Sequence, residues 1–234
     1  MSRLGKLTLP YYTMNMPSNA KEIKFRPFVV KEEKLLLIAL QSKDTLQINN
    51  ALREIILSCT DSVLDTKEIC TADSEYAFIK IRAKSIGEEI KPEITCGNCK
   101  KQTTIKMKLD DIEICNVEKN KAENTIQITD DVSVVLRFPT IHDTDPKKSE
   151  VETAFELSEK CIVSIIIKDE IINVKELDKN ELSDFVNNLL PDQFIKIMEF
   201  FKNIPELKYT IDFPCPHCKE RMQLQIKSVS DFFH

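Results

Sequence analysis

Cys96-Gly97-Asn98-Cys99 and Cys215-Pro216-His217-Cys218 are the two stretches that decide how this chain is read. Both are C-x-x-C, and their flanks match. Ile90, Pro92 and Ile94 alternate before the first pair, as Tyr209, Ile211 and Phe213 do before the second. Thr103, Ile105, Met107 and Leu109 alternate after the first, and Met222, Leu224 and Ile226 after the second. A period of two is the mark of a half-buried strand. Strand, C-x-x-C, strand is the plan of a zinc knuckle at a hairpin tip, and two such hairpins bring four thiolates into one tetrahedron. This predicts knuckle hairpins at about 90–109 and 207–227. Cys96, Cys99, Cys215 and Cys218 would hold one structural Zn2+ per chain, in a closed shell with no position for water or substrate.

The two-residue spacing aims both sulfurs of a pair at one ion. Gly97 fits the backbone demand of such a turn and Pro216 would stiffen the other, while Lys100 and Lys219 stand where knuckles commonly carry glycine. About 115 residues separate the pairs. A shared metal would therefore staple distant parts of one fold rather than build an independent finger. Other uses of the thiols stay open on the residues alone: a redox pair, two separate disulfides, or four unengaged thiols. Redox C-x-x-C motifs sit at helix N-termini, whereas strand-like alternation follows both pairs here. Cys59, Cys70, Cys115 and Cys161 lie singly and read as small buried hydrophobes. His217 reads as an exposed knuckle position.

The composition narrows the rest. A chain of 234 residues with 42% hydrophobic and 30% charged content is globular rather than disordered. Its three glycines, Gly5, Gly87 and Gly97, lie far apart, which excludes the glycine-rich phosphate loops of Rossmann, Walker and kinase sites. A net charge of −5 gives no global pull toward nucleic acid or anionic membrane. Met1 to Lys6 has no apolar core of a signal peptide, and the apolar run Cys161 to Ile167 is far too short to span a bilayer. An intracellular setting follows, in which paired cysteines more often mean metal than disulfide.

The fold expected is α+β: a mostly helical domain with short antiparallel strands and a discontinuous four-cysteine zinc-ribbon-like pair of hairpins. Residues 1–19 read as an extended arm or a strand folded back, and 20–234 as a single zinc-stapled domain. Glu22–Val29 alternates like an edge strand. Lys31-Glu32-Glu33-Lys34 opens a helix whose Leu35-Leu36-Leu37-Ile38 is apolar all round, a pattern that belongs in an interior. Asp44 and Gln47 resemble a capping box before the periodic Ile48, Ala51, Leu52, Ile55, Ile56 and Cys59. Residues 75–86 form a third helix, with Gly87 just past its end. Asn116 to Asn124 reads as a surface loop, and two strands flank Asp130-Asp131. A long helix is expected from Ser149 to Ile166, another after the Asp178/Glu181 cap, and a third after Pro191.

No enzymatic constellation emerges. His142-Asp143-Thr144-Asp145 resembles a metal-ligand fragment without a companion histidine cluster, His234 is terminal, and Asp110-Asp111 and the other acid pairs lie at helix starts or turns. A hydrolase using His142 is the weaker rival. Lys100, Lys101, Lys106 and Lys108 raise a zinc-ribbon nucleic-acid-binding protein as the stated alternative, but no aromatic residues interleave to stack bases.

Pro17-Ser18-Asn19, Arg26-Pro27-Phe28, Lys31-Glu32-Glu33-Lys34-Leu35-Leu36, Lys80-Ile81-Arg82-Ala83-Lys84-Ser85-Ile86-Gly87-Glu88, then Phe200-Phe201 with Pro205, and the two cysteine pairs follow one another in order. This succession, from about Pro17 to Cys218, resembles the baseplate hub proteins of T-even-type contractile-tailed bacteriophages, a family that includes a hub assembly catalyst. The resemblance places a glycine where this chain has Ala20. It implies a late viral protein made in the host cytoplasm, without catalytic residues or a small-molecule substrate. Its partners would be other phage baseplate hub proteins, and it would remain in the virion tail or act only in assembly.

Overall fold

The computed structural model describes residues 8–109, 112–115, 124–145 and 148–226. Asp110-Asp111, most of the expected 116–124 loop, the start of the expected arm, the end of the second hairpin at 227 and His234 lie outside the described residues.

Within the stretch expected as an arm, β1 (Tyr12–Asn15) pairs antiparallel with β2 (Glu22–Phe25), Met14 opposite Ile23. Met14, Met16, Ile23 and Phe25 are buried, so hydrophobic burial rather than hydrogen bonding alone holds this hairpin. Its turn is pinned to the interior by Asp73, which accepts from the Ser18 backbone N–H and hydroxyl. Ala20 sits in the left-handed region at φ 57°.

Helix α1 (Val30–Ser42) begins without a capping side chain at Val29; Glu32 instead reaches back to accept from the Val29 N–H at 2.9 Å. Its apolar run is not enclosed as expected. Leu36 and Ala39 are buried, but Leu35, Leu37 and Ile38 are 39%, 53% and 54% exposed, because α1 covers only one side of its neighbour. That neighbour is α2 (Thr45–Cys59), capped by Asp44. Gln47 does not close the expected box, since the Asp44 N–H donates to Ser42 Oγ. Ala51, Leu52, Ile55, Ile56 and Cys59 are buried, as their periodicity requires. Helix α3 (Thr71–Ser85) starts four residues before the expected position and is buried on most sides. Gly87 follows its C-cap with φ +135°, a region L side chains rarely adopt.

The first predicted hairpin forms in two pieces. β3 (Glu89–Ile90) pairs with β6 (Met107–Lys108), and β4 (Glu93–Thr95) with β5 (Gln102–Thr104). Pro92, which has no N–H to give, interrupts the ladder between them, though its carbonyl accepts from Ile105 N. Strand β7 (Glu113–Cys115) follows.

Beyond it, β8 (Thr125–Gln127) and β9 (Val132–Leu136) flank Asp130-Asp131 as expected. The expected helix from Ser149 to Ile166 is a correction. Helix α4 (Glu150–Cys161) starts from a Ser149/Glu152 capping box but stops at Cys161. Ile162–Ile167 is β10, and it forms a hairpin with β11 (Glu170–Asn173). The cause is a β-branched run, Ile162-Val163 and Ile165-Ile166-Ile167, which loses rotamer freedom in a helix and packs well on a pleated surface. The sheet order is β11-β10-β9-β8. Helix α5 (Lys179–Asn187) has the Asp178/Glu181 box, and α6 (Pro191–Lys202) has Pro191 in its first turn. The second hairpin, β12 (Glu206–Pro214) with β13 (Arg221–Ile226), closes the described chain.

The molecule is thus α+β, with six helices and short antiparallel strand pairs among the described residues. Its apolar interior falls into two clusters. One joins the β1–β2 hairpin, α1 to α3, the first hairpin and Leu207; the other joins β8 to β10 with α5 and α6. β12 pairs with β7, Glu206 opposite Cys115, so the chain leaves the first cluster and returns to it at one place. The second cluster is therefore an insertion between neighbouring strands, and no Gly/Ser linker in the sequence marks it. Ile141, buried in the first cluster, and bonds from Thr71 N–H to the Pro139 carbonyl and from Asn49 Nδ2 to the Ile141 carbonyl tie the two together. No helix among the described residues is long and apolar enough to cross a membrane.

Candidate metal centre

Each C-x-x-C occupies the tip of its hairpin, and the two tips have the same backbone geometry. The Cys96 N–H donates to the Lys101 carbonyl at 3.0 Å and the Lys100 N–H to the Cys96 carbonyl at 3.0 Å. In the second hairpin the Cys215 N–H donates to the Glu220 carbonyl at 2.8 Å and the Lys219 N–H to the Cys215 carbonyl at 2.9 Å. Such a loop needs one left-handed residue, which Lys100 (φ 60°) and Lys219 (φ 63°) supply. The expected backbone role of Gly97 is a correction: its φ is ordinary and an added Cβ would meet nothing within 4 Å. Its counterpart Pro216 makes the same point, because a proline ring restricts that position to negative φ.

The tips face one another. Cys96 Sγ lies 3.7 Å from Cys218 Sγ, and Cys99 Sγ lies 3.8 Å from Cys215 Sγ. All four sulfurs fall within 4.8 Å of one another. Four sulfurs at about 2.3 Å from a central zinc in a tetrahedron would stand about 3.8 Å apart, the separation seen in the Cys96–Cys218 and Cys99–Cys215 pairs. Cys96 and Cys215 are fully buried, and Cys99 and Cys218 are half-buried toward the exposed tips. Asn98 Nδ2 points at Cys218 Sγ at 3.8 Å, a contact that sequence reading missed and whose only trace is an amide inside the motif.

The electrostatics point the same way. N–H groups of Cys99 and Asn98 hold the Cys96 thiol below its ordinary value, and those of Cys218 and His217 bring Cys215 down to about 6. The Lys101 N–H pulls Cys99 down as well, but desolvation and the neighbouring sulfurs overcome it and push this thiol up to about 11. Four thiolates so close would repel one another, and a cation at their centre would let all four ionise together.

The other candidates fall elsewhere. Burial pushes Cys59 up to about 11 and Cys70 and Cys161 up to about 12, as for inert core thiols; Cys115 is half-buried in β7. His142 Nε2 lies 2.8 Å from Thr66 Oγ1, and Asp143 accepts from Arg137 at 2.7 and 3.0 Å and from the Thr140 N–H, so this fragment braces the joint between the clusters. Among the described residues, Cys96, Cys99, Cys215 and Cys218 are the His/Cys/Asp/Glu group placed to hold a metal. Lys100, Lys101, Lys106 and Lys108 are exposed, interleaved with exposed Glu89 and Glu93.

Comparison with curated proteins and with solved structures gives no match. Residues 9–234, nearly the whole chain and both cysteine pairs, match the model of the family described as T4 bacteriophage base plate protein, and the chain belongs to that family.

Proposed function

We propose that this protein is a structural subunit or assembly factor of the baseplate hub of a contractile-tailed bacteriophage. In this reading it works through contacts with other hub proteins, assembles in the host cytoplasm and enters the tail. The observation that carries the role is the family match across residues 9–234. One Zn2+ held by Cys96, Cys99, Cys215 and Cys218 would serve as a structural crosslink, supported by sulfur spacings of 3.7 and 3.8 Å. Its contribution is to hold the returning β12–β13 hairpin against the first hairpin, so that the inserted cluster is anchored at both ends. The lysines beside the ion offset the negative charge of a four-thiolate shell, and the shell itself leaves no open coordination position.

Two measurements test the reading. Mass spectrometry of purified particles against infected-cell lysate distinguishes a virion subunit from an assembly factor; a chain absent from particles, whose deletion leaves baseplates and tails assembling normally, contradicts the role. Elemental analysis of protein purified without added metal is expected to give about one zinc per chain. Iron in its place, or no metal, overturns the zinc assignment.

A further inference from the structure

Leu35, Leu37 and Ile38 are apolar side chains on a helix whose sequence belongs in an interior, yet they lie open. Beside them, between α1 and α2, runs a groove of about 240 Å3. Ala39 and Ala51 form its floor, and Leu35, Ile38, Asn50 and Glu54 stand along its walls. Two alanines facing each other leave a hole of the kind that takes a branched apolar knob from a facing helix. Glu54 is the one charged residue lining the groove.

α1 carries the complement of its own groove. Ile38 projects on the exposed face between Leu35 and Lys34, which lies one turn before it (i−4). Neither Lys34 nor Glu54 makes an ion pair among the described residues. We propose that this face is a two-fold dimer interface between copies of this chain. α1 of each copy lies across the α1–α2 groove of the other, Ile38 enters over Ala39 and Ala51, and Lys34 meets Glu54 of the second copy. Two-fold symmetry makes every such contact twice, so one match of apolar knob and opposite charge is doubled. With 13 residues, α1 is about 20 Å long, which places the interface in the small class, below about 1,200 Å2 of buried surface. The concentration range searched is therefore the micromolar one, where weak, transient interfaces of this class are found.

Sedimentation equilibrium on the full-length, metal-loaded protein, from about 1 to about 200 μM, tests this. A monomer–dimer equilibrium is expected. Ile38→Glu should weaken it by at least about tenfold. Lys34→Glu and Glu54→Lys should each weaken it by about tenfold, because like charges then face each other twice. An equimolar mixture of those two variants should recover the dimer, because both cross-pairs become opposite in sign. All three positions are exposed, and unchanged circular dichroism and metal content confirm that the variants fold. A monomer at every concentration overturns the proposal and leaves the groove to the helix of another protein. A dimer indifferent to Ile38→Glu, or a mixture no better associated than its components, also overturns it.

Discussion

Replacing Cys99 by Ser removes one sulfur of the cluster with little loss of packing, because Cys99 is half-buried whereas Cys96 and Cys215 are fully enclosed. The Cys99 and Cys215 sulfurs belong to residues 116 positions apart. A crosslink closing a loop of that length restricts the unfolded chain by about 4.8 kcal/mol at 25 °C. Treated as a ligand present at one hundred to one thousand times its Kd, the ion adds about 2.7–4.1 kcal/mol. Because the ion leaves on unfolding and does not hold the unfolded loop closed, the binding figure governs, about 3 kcal/mol. For a chain of this size each kcal/mol moves Tm by about 2–4 °C, so a fall of about 6–12 °C is expected. The assay is thermal unfolding followed by calorimetry, with metal content measured on the same samples. Cys115→Ser, a half-buried cysteine outside the cluster, serves as the control and should shift Tm far less. Cys218→Ser, and the double variant with Cys99→Ser, should fall by nearly the same amount as Cys99→Ser alone, because the first loss already releases the ion. A chelator should bring the wild type down to the variants and leave the variants unmoved. Decrements that add, or a wild type whose Tm ignores the chelator, refute a single shared ion.

Three further outcomes are expected. The first concerns Glu32: desolvation alone would raise its carboxyl, but the Val29 N–H, the Arg26 guanidinium at 3.0 Å and the Ser58 hydroxyl together bring it from 4.5 down to about 2. The carboxylate is thus favoured in the folded state, so its contribution is complete above pH 4.5 and is lost as pH falls toward 2. Glu32→Gln should cost about 3 kcal/mol at neutral pH and flatten that acid limb of the stability curve; an unchanged limb means the network is not what titrates. Ala20→Gly should stabilise by about 0.5–1 kcal/mol, since relief of a left-handed alanine (about 1–2 kcal/mol) exceeds the added freedom of an unfolded glycine; a lower urea midpoint at unchanged m contradicts the strain. Ile197→Ala, fully buried in the second cluster, should cost about 2–5 kcal/mol and accelerate amide exchange in β9 and β10 more than in α2 and α3; uniform acceleration means the two clusters are one cooperative core.

The legible parts of the sequence were those where the local pattern has one physical meaning. The periodic face of α2, the Asp178/Glu181 cap, Pro191 opening α6 and the turn at Asp130-Asp131 all stand where they were expected. Ile162–Ile167 was misread because a short apolar run satisfies helix and strand alike until a partner strand is present. α1 misled in the opposite sense, since an apolar helix states that it wants covering but not what covers it. The left-handed Lys100, Lys219 and Ala20 stand where the knuckle pattern and the family resemblance place glycine, but only the backbone shows that the positive φ is kept with a side chain present.

By its own residues the sequence determined the chemistry available: four cysteines in two matching C-x-x-C hairpins, no glycine-rich phosphate loop, and capped amphipathic helices. Those properties are local, set by spacing along a few residues. The tertiary structure alone decided that the four sulfurs converge at 3.7 and 3.8 Å, that an inserted cluster separates them in sequence, and that α1 keeps an open apolar face. Each of these depends on pairing across long stretches of chain, above all Glu206 against Cys115, and on how much surface one copy can bury by itself.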